Sequence, residues 1–231
     1  MIKKATRIIV RRLAAKLGVL IHEASGDIAS ATLPEFGNSP ENLVIELPRS
    51  ICNPGQMFLG DDIWLGPGSL LMVIKRYPTP SMMPPGKRDH AQRFTPRIKI
   101  GHRVTSTGNL QVSAIEEIII EDDVMFASNV FLCDALHGYE TANVPYKFQD
   151  MSRISPILVK RGSWIGQNAV IMPGVVIGEC SIVGANSVVT KSLPDRCIAV
   201  GAPARIIKKW DEKNQAWEIV RDKQYGEMRG A

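Results

Sequence analysis

Aliphatic residues recur at every sixth position along the second half of this sequence. The unbroken series consists of Val159, Ile165, Ile171, Ile177, Val183 and Val189. A period of six is neither that of a strand nor that of a helix, so each hexad must be a short strand followed by a turn. The chain is therefore predicted to form a solenoid, in which each coil buries its core only against the next.

Two earlier tracts have the same period. One contains IEDDVM, FASNVF and LCDALH from Ile120, with IGHRVT upstream, and the other contains LGDDIW, LGPGSL and LMVIKR from Leu59. Eight residues stand in place of six between Ile51 and Leu59 and between Val112 and Ile120. We expect the two extra residues to be extruded at a corner of the solenoid in each place.

Three hexads are expected to close one triangular coil. Ile165 should then stack on Val183, and Val159 on Ile177, because each pair is separated by three hexads. Corners need small residues or a positive φ angle, which glycine and asparagine tolerate best. Asn168, Asn186 and the repeated glycines are predicted to lie at such corners.

Two stretches interrupt the repeat, residues 75–99 and residues 138–157, and the second follows His137 directly. The first is rich in proline and charge, which predicts an extended excursion from the solenoid. Long loops in a compact domain often carry function, so we expect these two to wall a substrate pocket.

The ends of a solenoid need caps. Residues 1–22 are predicted to form a helix, either a capping helix or one lying on a membrane surface. A second helix is predicted from residue 204 to about residue 227. The predicted units are an N-terminal helical or irregular cap (1–50), the β-helix (51–205) and a C-terminal helix (206–231).

Composition narrows the partners and the compartment. The net charge of +5 comes without a stripe of Lys and Arg interleaved with aromatics, which disfavours nucleic acid as a partner. Four scattered cysteines argue for reduced thiols rather than a disulfide framework. No spanning helix or signal peptide is predicted, so a cytoplasmic protein is expected, with peripheral contact at the inner membrane face left open.

The stretch that ends NVFLCDALHGYE, and SWIGQNAVIMPGVVIGECSIVGANSVVTKSLPDRCIAVGAPARIIKK after it, resemble the hexapeptide-repeat O-acetyltransferases. These include galactoside, maltose, xenobiotic and surface-polysaccharide acetyltransferases, and the resemblance covers about residues 51–210. It implies a left-handed parallel β-helix, although the general crossover rule by itself would predict the right hand. It also implies a homotrimer with active sites at the subunit interfaces.

The resemblance further implies direct acetyl transfer from acetyl-CoA to a saccharide hydroxyl, without a metal. The expected acceptor is a precursor of a cell-surface polysaccharide or lipopolysaccharide. His137 occupies the position of the family's general base. Asp134, three residues earlier, is either a carboxylate that orients this imidazole or an exposed corner residue. Asn109 lies where the family places an asparagine that holds the acceptor.

A second group of residues is implied to bind the donor. Trp164 matches the aromatic that packs beside the pantetheine arm of CoA, and Arg205 and Lys208 match cations that face the CoA phosphates. The residues implied to line the CoA groove are Ala185, Thr190 and Lys191.

Three alternatives stay open at this point. N-acetylation of a nucleotide-linked sugar would normally involve a nucleotide-binding N-terminal domain, which residues 1–50 do not suggest. A zinc carbonic anhydrase would need three converging histidines. The sequence has four histidines, and no two of them lie close together in the chain: His22, His90, His102 and His137. A structural β-helix subunit would not bind CoA. Serine acetyltransferase is disfavoured, because its long helical N-terminal domain is missing.

Overall fold

The computed structural model describes residues 2–78 and 91–220. The chain begins with one long helix, α1 (Ile2–Ala31), and continues as short strands. The strands are β1 (Val44–Ile45), β2 (Ser50–Cys52), β3 (Met57–Leu59), β4 (Trp64–Leu65), β5 (Leu70–Val73), β6 (Arg76–Tyr77), β7 (Gln92–Arg93), β8 (Arg97–Ile100), β9 (Thr105–Ser106), β10 (Gln111–Ala114), β11 (Glu117–Ile120), β12 (Met125–Phe126), β13 (Phe131–Cys133), β14 (Leu136–His137), β15 (Met151–Ser152), β16 (Ile157–Val159), β17 (Trp164–Ile165), β18 (Val170–Ile171), β19 (Val176–Ile177), β20 (Ile182–Val183), β21 (Val188–Val189), β22 (Cys197–Val200), β23 (Arg205–Asp211) and β24 (Ala216–Ile219). Short 3-10 turns lie at Pro54–Gln56 and Tyr146–Phe148.

Three sheets form the sides of a prism. The strand order is β1-β4-β9-β12-β17-β20-β22-β23-β24 in the first sheet, β2-β5-β10-β13-β18-β21 in the second and β19-β16-β11-β8-β3 in the third. Successive prism strands visit the first, second and third sheets in turn, and neighbouring strands are parallel from β1 to β22. The predicted three-sided solenoid is confirmed.

Stacking follows the hexads. Ile165 pairs with Val183 and Val159 with Ile177, each pair eighteen residues apart, as predicted. These side chains are fully buried. Because every coil places its aliphatic residues over those of the coil before it, the prism has one continuous apolar core.

The longer coils upstream have a spacing of twenty, as between Val112 and Leu132. Their two extra residues lie at the corner between the second and third sheets, where β10 and β11 are four residues each. Between Val112 and Ile120 they lengthen the strands on both sides of that corner, where Ile115 is buried rather than extruded. Between Ile51 and Leu59 they form the 3-10 turn Pro54–Gln56 instead.

Asparagines with positive φ form the corner between the first and second sheets. Asn129, Asn168 and Asn186 have φ angles of 61°, 59° and 57°. Asn129 Nδ2 donates to Asn168 Oδ1 at 3.1 Å, and Asn168 Nδ2 donates to Asn186 Oδ1 at 2.9 Å. This ladder confirms the predicted corner positions of Asn168 and Asn186.

The N-terminal end is capped by the end of α1 and the segment after it. Ala29 is buried, Leu33 and Phe36 pack against the core, and Arg49 donates to the Ala29 carbonyl at 2.8 Å. The predicted helix exists but extends to Ala31, and the side chains of residues 10–21 are all exposed. Those residues therefore do not cap the prism as expected, and the prism itself begins at β1 rather than at residue 51.

The predicted C-terminal helix is wrong over residues 204–220. β23 and β24 form an antiparallel hairpin that extends the first sheet from β22. Alternate side chains of β23, Ile206, Lys208 and Trp210, are half-buried, which is a strand pattern. Asp211 closes the turn by accepting from the backbone N–H groups of Lys213 and Asn214. Residues 221–231 lie outside the described part.

No helix among the described residues is long and apolar enough to cross a lipid bilayer.

Candidate active site

His137 lies on a hairpin that leaves the prism at the corner between the second and third sheets. β14 and β15 pair antiparallel, with His137 opposite Met151, and the Gly138 N–H donates to the Asp150 carbonyl at 2.8 Å. A Cβ on Gly138 would lie 2.4 Å from that carbonyl oxygen, so the close approach of the two strands requires glycine here. The His137 side chain is exposed.

Tyr77, from the other excursion, supports the imidazole. The two rings meet edge to face, with centroids 5.1 Å apart and an angle of 63°. Tyr77 is buried and its hydroxyl donates to the Lys147 carbonyl at 2.9 Å. Burial raises the pKa of this phenol. Tyr77 therefore contacts His137 as a neutral aromatic and also holds the loop that follows it.

Gln92 ties the two excursions together. Its Oε1 accepts from the Met151 N–H at 2.6 Å, and its Nε2 donates to the Met151 carbonyl at 3.2 Å. The backbone opposite His137 is thus held by the first excursion on one side and by β14 on the other. Residues 79–90 of the predicted 75–99 excursion lie outside the described part.

The two excursions and the second sheet enclose a cavity of about 460 Å³. Most of its walls are apolar, and the imidazole of His137 lies in its lining. The lining residues are Met72, Ile74, Arg76, Tyr77, Ser113, Phe131, Cys133, Ala135, Leu136, His137, Met151, Ile171, Met172 and Pro173. Both excursions therefore contribute walls to one cavity, as expected.

Asp134 is neither an exposed corner residue nor a partner of His137. Its carboxylate is fully buried, where Oδ1 accepts from the Ile115 N–H at 2.7 Å and Oδ2 from the Glu116 N–H at 2.8 Å. Desolvation raises the pKa of this carboxyl, against the opposing effect of the backbone donors. Among the described residues, no hydrogen bond joins Asp134 to the imidazole. It braces the root of the hairpin against the coil above.

Asn109 lies away from the cavity of this chain. It occupies the corner between the first and second sheets with a φ of 50°, and its N–H donates to the Pro67 carbonyl at 2.8 Å. The cavity opens at the other end of the second-sheet strands, beside the corner with the third sheet. Within one chain, the structure does not bring Asn109 to His137.

The predicted donor-binding residues fall on two edges of the prism. Thr190 and Lys191 follow β21 at the corner between the second and third sheets, one coil beyond the cavity residue Met172. The others belong to the first sheet or to its corner with the second: Trp164 on β17, Ala185 in the corner, and Arg205 and Lys208 on β23. Within one chain, these two groups of predicted donor-binding residues therefore lie apart.

Tyr77 and Gln92 were missed by the sequence analysis. Their only signal was their position in an excursion, because residue type alone does not distinguish a side chain that contacts an imidazole from one in solvent. As for metals, the described residues contain no group of three or more His, Cys, Asp or Glu that could hold an ion.

The three-sided prism of in-register hexads defines a parallel β-helix of the hexapeptide-repeat class. The family model "Bacterial transferase hexapeptide (six repeats)" matches residues 156–191. Escherichia coli K12 WbbJ, named for an inferred role as a lipopolysaccharide biosynthesis O-acetyl transferase, is 34% identical over 182 residues, covering 76% of this chain and 83% of WbbJ. The chain belongs to the hexapeptide-repeat acetyltransferase family, and the resemblance found in the sequence is confirmed.

One further relative agrees with this assignment, and one solved structure agrees with the fold. Galactoside O-acetyltransferase of Escherichia coli K12 is 34% identical over 118 residues, which cover 51% of this chain and 57% of that protein. A crystal structure of a point mutant of AntD, an N-acyltransferase from Bacillus cereus in complex with dTDP and coenzyme A, superposes with a TM-score of 0.61 at 22% identity. It covers 81% of this chain and 90% of AntD, and it shows the fold alone. Together, the family and this fold imply the left-handed form of the β-helix.

Proposed function

We propose that the protein transfers an acetyl group directly from acetyl-CoA to a saccharide hydroxyl, with His137 as the general base. The observation that carries this proposal is the exposed imidazole in the wall of a cavity built by both excursions. The names of two relatives, a lipopolysaccharide O-acetyl transferase and a galactoside O-acetyltransferase, support a saccharide acceptor. A cell-surface polysaccharide or lipopolysaccharide precursor is the acceptor class we favour.

The chemistry requires a base because an alcohol is a poor nucleophile at neutral pH. The imidazole of His137 would take the hydroxyl proton while the oxygen attacks the thioester carbonyl. A carbon–oxygen bond forms, the carbon–sulfur bond breaks, and the leaving thiolate takes the proton back from the imidazolium. General-base assistance of this kind is worth about two to four decades in rate.

A covalent route through a cysteine fits the cavity poorly. Cys133 is the cysteine in its wall, and its thiol donates to the Ala135 carbonyl at 3.1 Å. Desolvation raises the pKa of this thiol, which keeps it protonated and weakly nucleophilic at neutral pH. Direct transfer therefore remains the mechanism we favour.

Assembly is part of the proposal. Trp164 is 45% exposed on the outer face of the first sheet, away from the edge that carries His137. We infer that a neighbouring chain supplies Trp164 to the acetyl-CoA that His137 serves, because one prism holds these two residues on different sides. We therefore propose a homotrimer with each active site between two subunits, and Asn109 would reach an acceptor only in that way.

The test is acetyl-CoA consumption against a panel of saccharides. His137→Ala should lower kcat by about a hundredfold to ten-thousandfold, while the loss of the ring contact with Tyr77 should lower the melting temperature only slightly. His102→Ala is the matched control, since His102 is also exposed but lies at the corner between the third and first sheets. A full rate in His137→Ala with any acceptor would show that another group is the base.

Two alternative functions are distinguished by two further measurements, hydroxylamine treatment of the product and unfolding in the presence of CoA. N-acetylation of a nucleotide-linked amino sugar would give an amide, which resists hydroxylamine, whereas an O-acetyl ester is cleaved by it. A structural subunit would not respond to CoA at all. An enzyme in the presence of CoA at about 100 times its Kd should gain about 2.7 kcal/mol in free energy of unfolding.

A further inference from the structure

The N-terminal helix extends from the prism without covering it. Every residue from 10 to 21 is exposed, and among the side chains of α1 that the structure describes, Ala29 is the first that is buried. Isolated helices depend on length and sequence for stability in water, and most helices in proteins are stabilised by packing an apolar face. The exposed part of α1 therefore needs a surface that this chain does not supply among its described residues.

One side of α1 is a continuous apolar stripe. Successive residues of a helix are rotated by about 100° around its axis. The apolar side chains of α1 that fall within roughly 120° of one another around that axis form a stripe about 27 Å long. They are Val10, Leu13, Ala14, Leu17, Leu20, Ile21, Ala24 and Ile28. Leu13, Leu17, Leu20 and Ile21 are each about 60% exposed. Val19 lies on the opposite side, which makes it a useful reference position.

The charge of this segment selects the surface. The first 22 residues contain six Lys and Arg residues and no Asp or Glu. Arg11, Arg12 and Lys16 are exposed and lie outside the stripe. The rest of α1 adds only two acidic residues, Glu23 and Asp27. Packing α1 against α1 of a second copy would therefore leave most of the six basic residues without an acidic partner from the other helix. An anionic lipid surface would neutralise them, at a gain for every basic residue near it.

We propose that α1 docks the protein on an anionic phospholipid membrane. The helix lies in the plane of the interface, with the apolar stripe at the boundary of headgroups and acyl chains and with Arg11, Arg12 and Lys16 at the phosphates. This role is independent of acetyl transfer, because it uses residues that lie outside the cavity of His137.

Co-sedimentation of the full chain with vesicles tests this interaction. The native protein should bind vesicles that contain phosphatidylglycerol, bind phosphatidylcholine vesicles much more weakly, and dissociate as salt is raised. Leu17→Asp should lower the partition coefficient by about tenfold or more, since it removes apolar area from the stripe. Val19→Asp introduces the same charge on the opposite side and should lower binding clearly less, because it leaves the apolar stripe intact.

Circular dichroism and thermal unfolding should be the same for the two variants, which separates lost docking from lost folding. Three results would overturn the proposal: no binding of the native protein to anionic vesicles, equal binding by Leu17→Asp, or equal binding to neutral vesicles. If Leu17→Asp instead lowers the sedimentation mass and the native protein ignores vesicles, a second copy covers the stripe.

Discussion

Asp134→Asn tests whether the carboxylate beside His137 in sequence supports the fold or the chemistry. Both oxygens accept from backbone N–H groups, those of Ile115 and Glu116. An asparagine of the same shape keeps one acceptor and turns an NH₂ group toward the other N–H. The substitution therefore removes one hydrogen bond and weakens the second, without opening a cavity.

The magnitude follows from these two contacts. Weakening a charge-assisted bond to a neutral one costs about 1 kcal/mol, and leaving an N–H unpaired costs about 1–3 kcal/mol. Removing a buried charge offsets part of this cost, since desolvation already raises the pKa of Asp134. The net loss should be about 2 kcal/mol in free energy of unfolding. For a chain of this length, that lowers the melting temperature by about 4–8 °C.

Thermal unfolding and steady-state kinetics of the same samples provide the assay. Asp150→Asn is the control, because it makes the same chemical change at an exposed carboxylate of the same hairpin. It should change the free energy of unfolding by no more than about 0.5 kcal/mol. We expect Asp134→Asn to keep kcat and its pH profile at temperatures well below its unfolding. A native melting temperature combined with a hundredfold loss of kcat would refute the structural role.

The pH dependence of the same variant has a definite sign. A carboxyl whose folded pKa lies above its unfolded value near 3.8 binds protons more tightly in the folded state. Its contribution to stability is complete below that value and is lost as pH rises through the folded pKa. The stability advantage of the native protein over Asp134→Asn should therefore be largest in acid and decline toward neutral pH. Urea titrations across this range measure it.

Two other substitutions test the excursions and the core. Gln92→Ala removes both hydrogen bonds to the Met151 backbone. Hydrogen exchange in residues 138–153 should therefore accelerate, kcat/KM should fall, and the free energy of unfolding should drop by about 1–2 kcal/mol. Phe126→Ala empties a fully buried position of the prism and should cost about 3–5 kcal/mol in urea unfolding.

Each of these has a matched control in the chain. Gln111→Ala removes an exposed amide from the second sheet, and Phe58→Ala removes a ring that is 40% exposed on the third. Gln111→Ala should stay close to the native protein, and Phe58→Ala should cost clearly less than Phe126→Ala because its ring is partly in solvent already. Unchanged hydrogen exchange in Gln92→Ala would mean that other contacts hold the excursions together. A small loss of unfolding free energy in Phe126→Ala would mean that the core closes around the gap.

The prism was predictable because its period is a physical requirement. A coil of three hexads returns to the same side after eighteen residues, so Ile165 had to meet Val183 if the chain closed at all. The asparagine corners follow for the same reason, since few residues tolerate a positive φ. Local sequence contained all of this information.

The C-terminal hairpin and the role of Asp134 were not predictable in this way. Residues 205–211 have a composition that suits either a helix or a strand, and the decision comes from the open edge of β22, a tertiary feature. The carboxylate of Asp134 finds its donors nineteen and eighteen positions earlier in the chain. Proximity along the sequence suggested His137, three residues away, because carboxylates orient catalytic histidines in other enzymes.

The separation of the candidate donor residues is also a tertiary feature, and it is the reason for the proposed assembly. Trp164 occupies the first side of its coil, whereas His137 leaves the corner between the second and third sides. Thr190 lies at that corner too, so the coil stacking places it near the cavity without help from another chain. Trp164 cannot be brought there by any local change, because its neighbours Met125 and Ile182 fix it in the first sheet. If Trp164 contacts the donor thioester that His137 serves, two prisms must lie side by side, and a variant locked as a monomer should be folded but inactive.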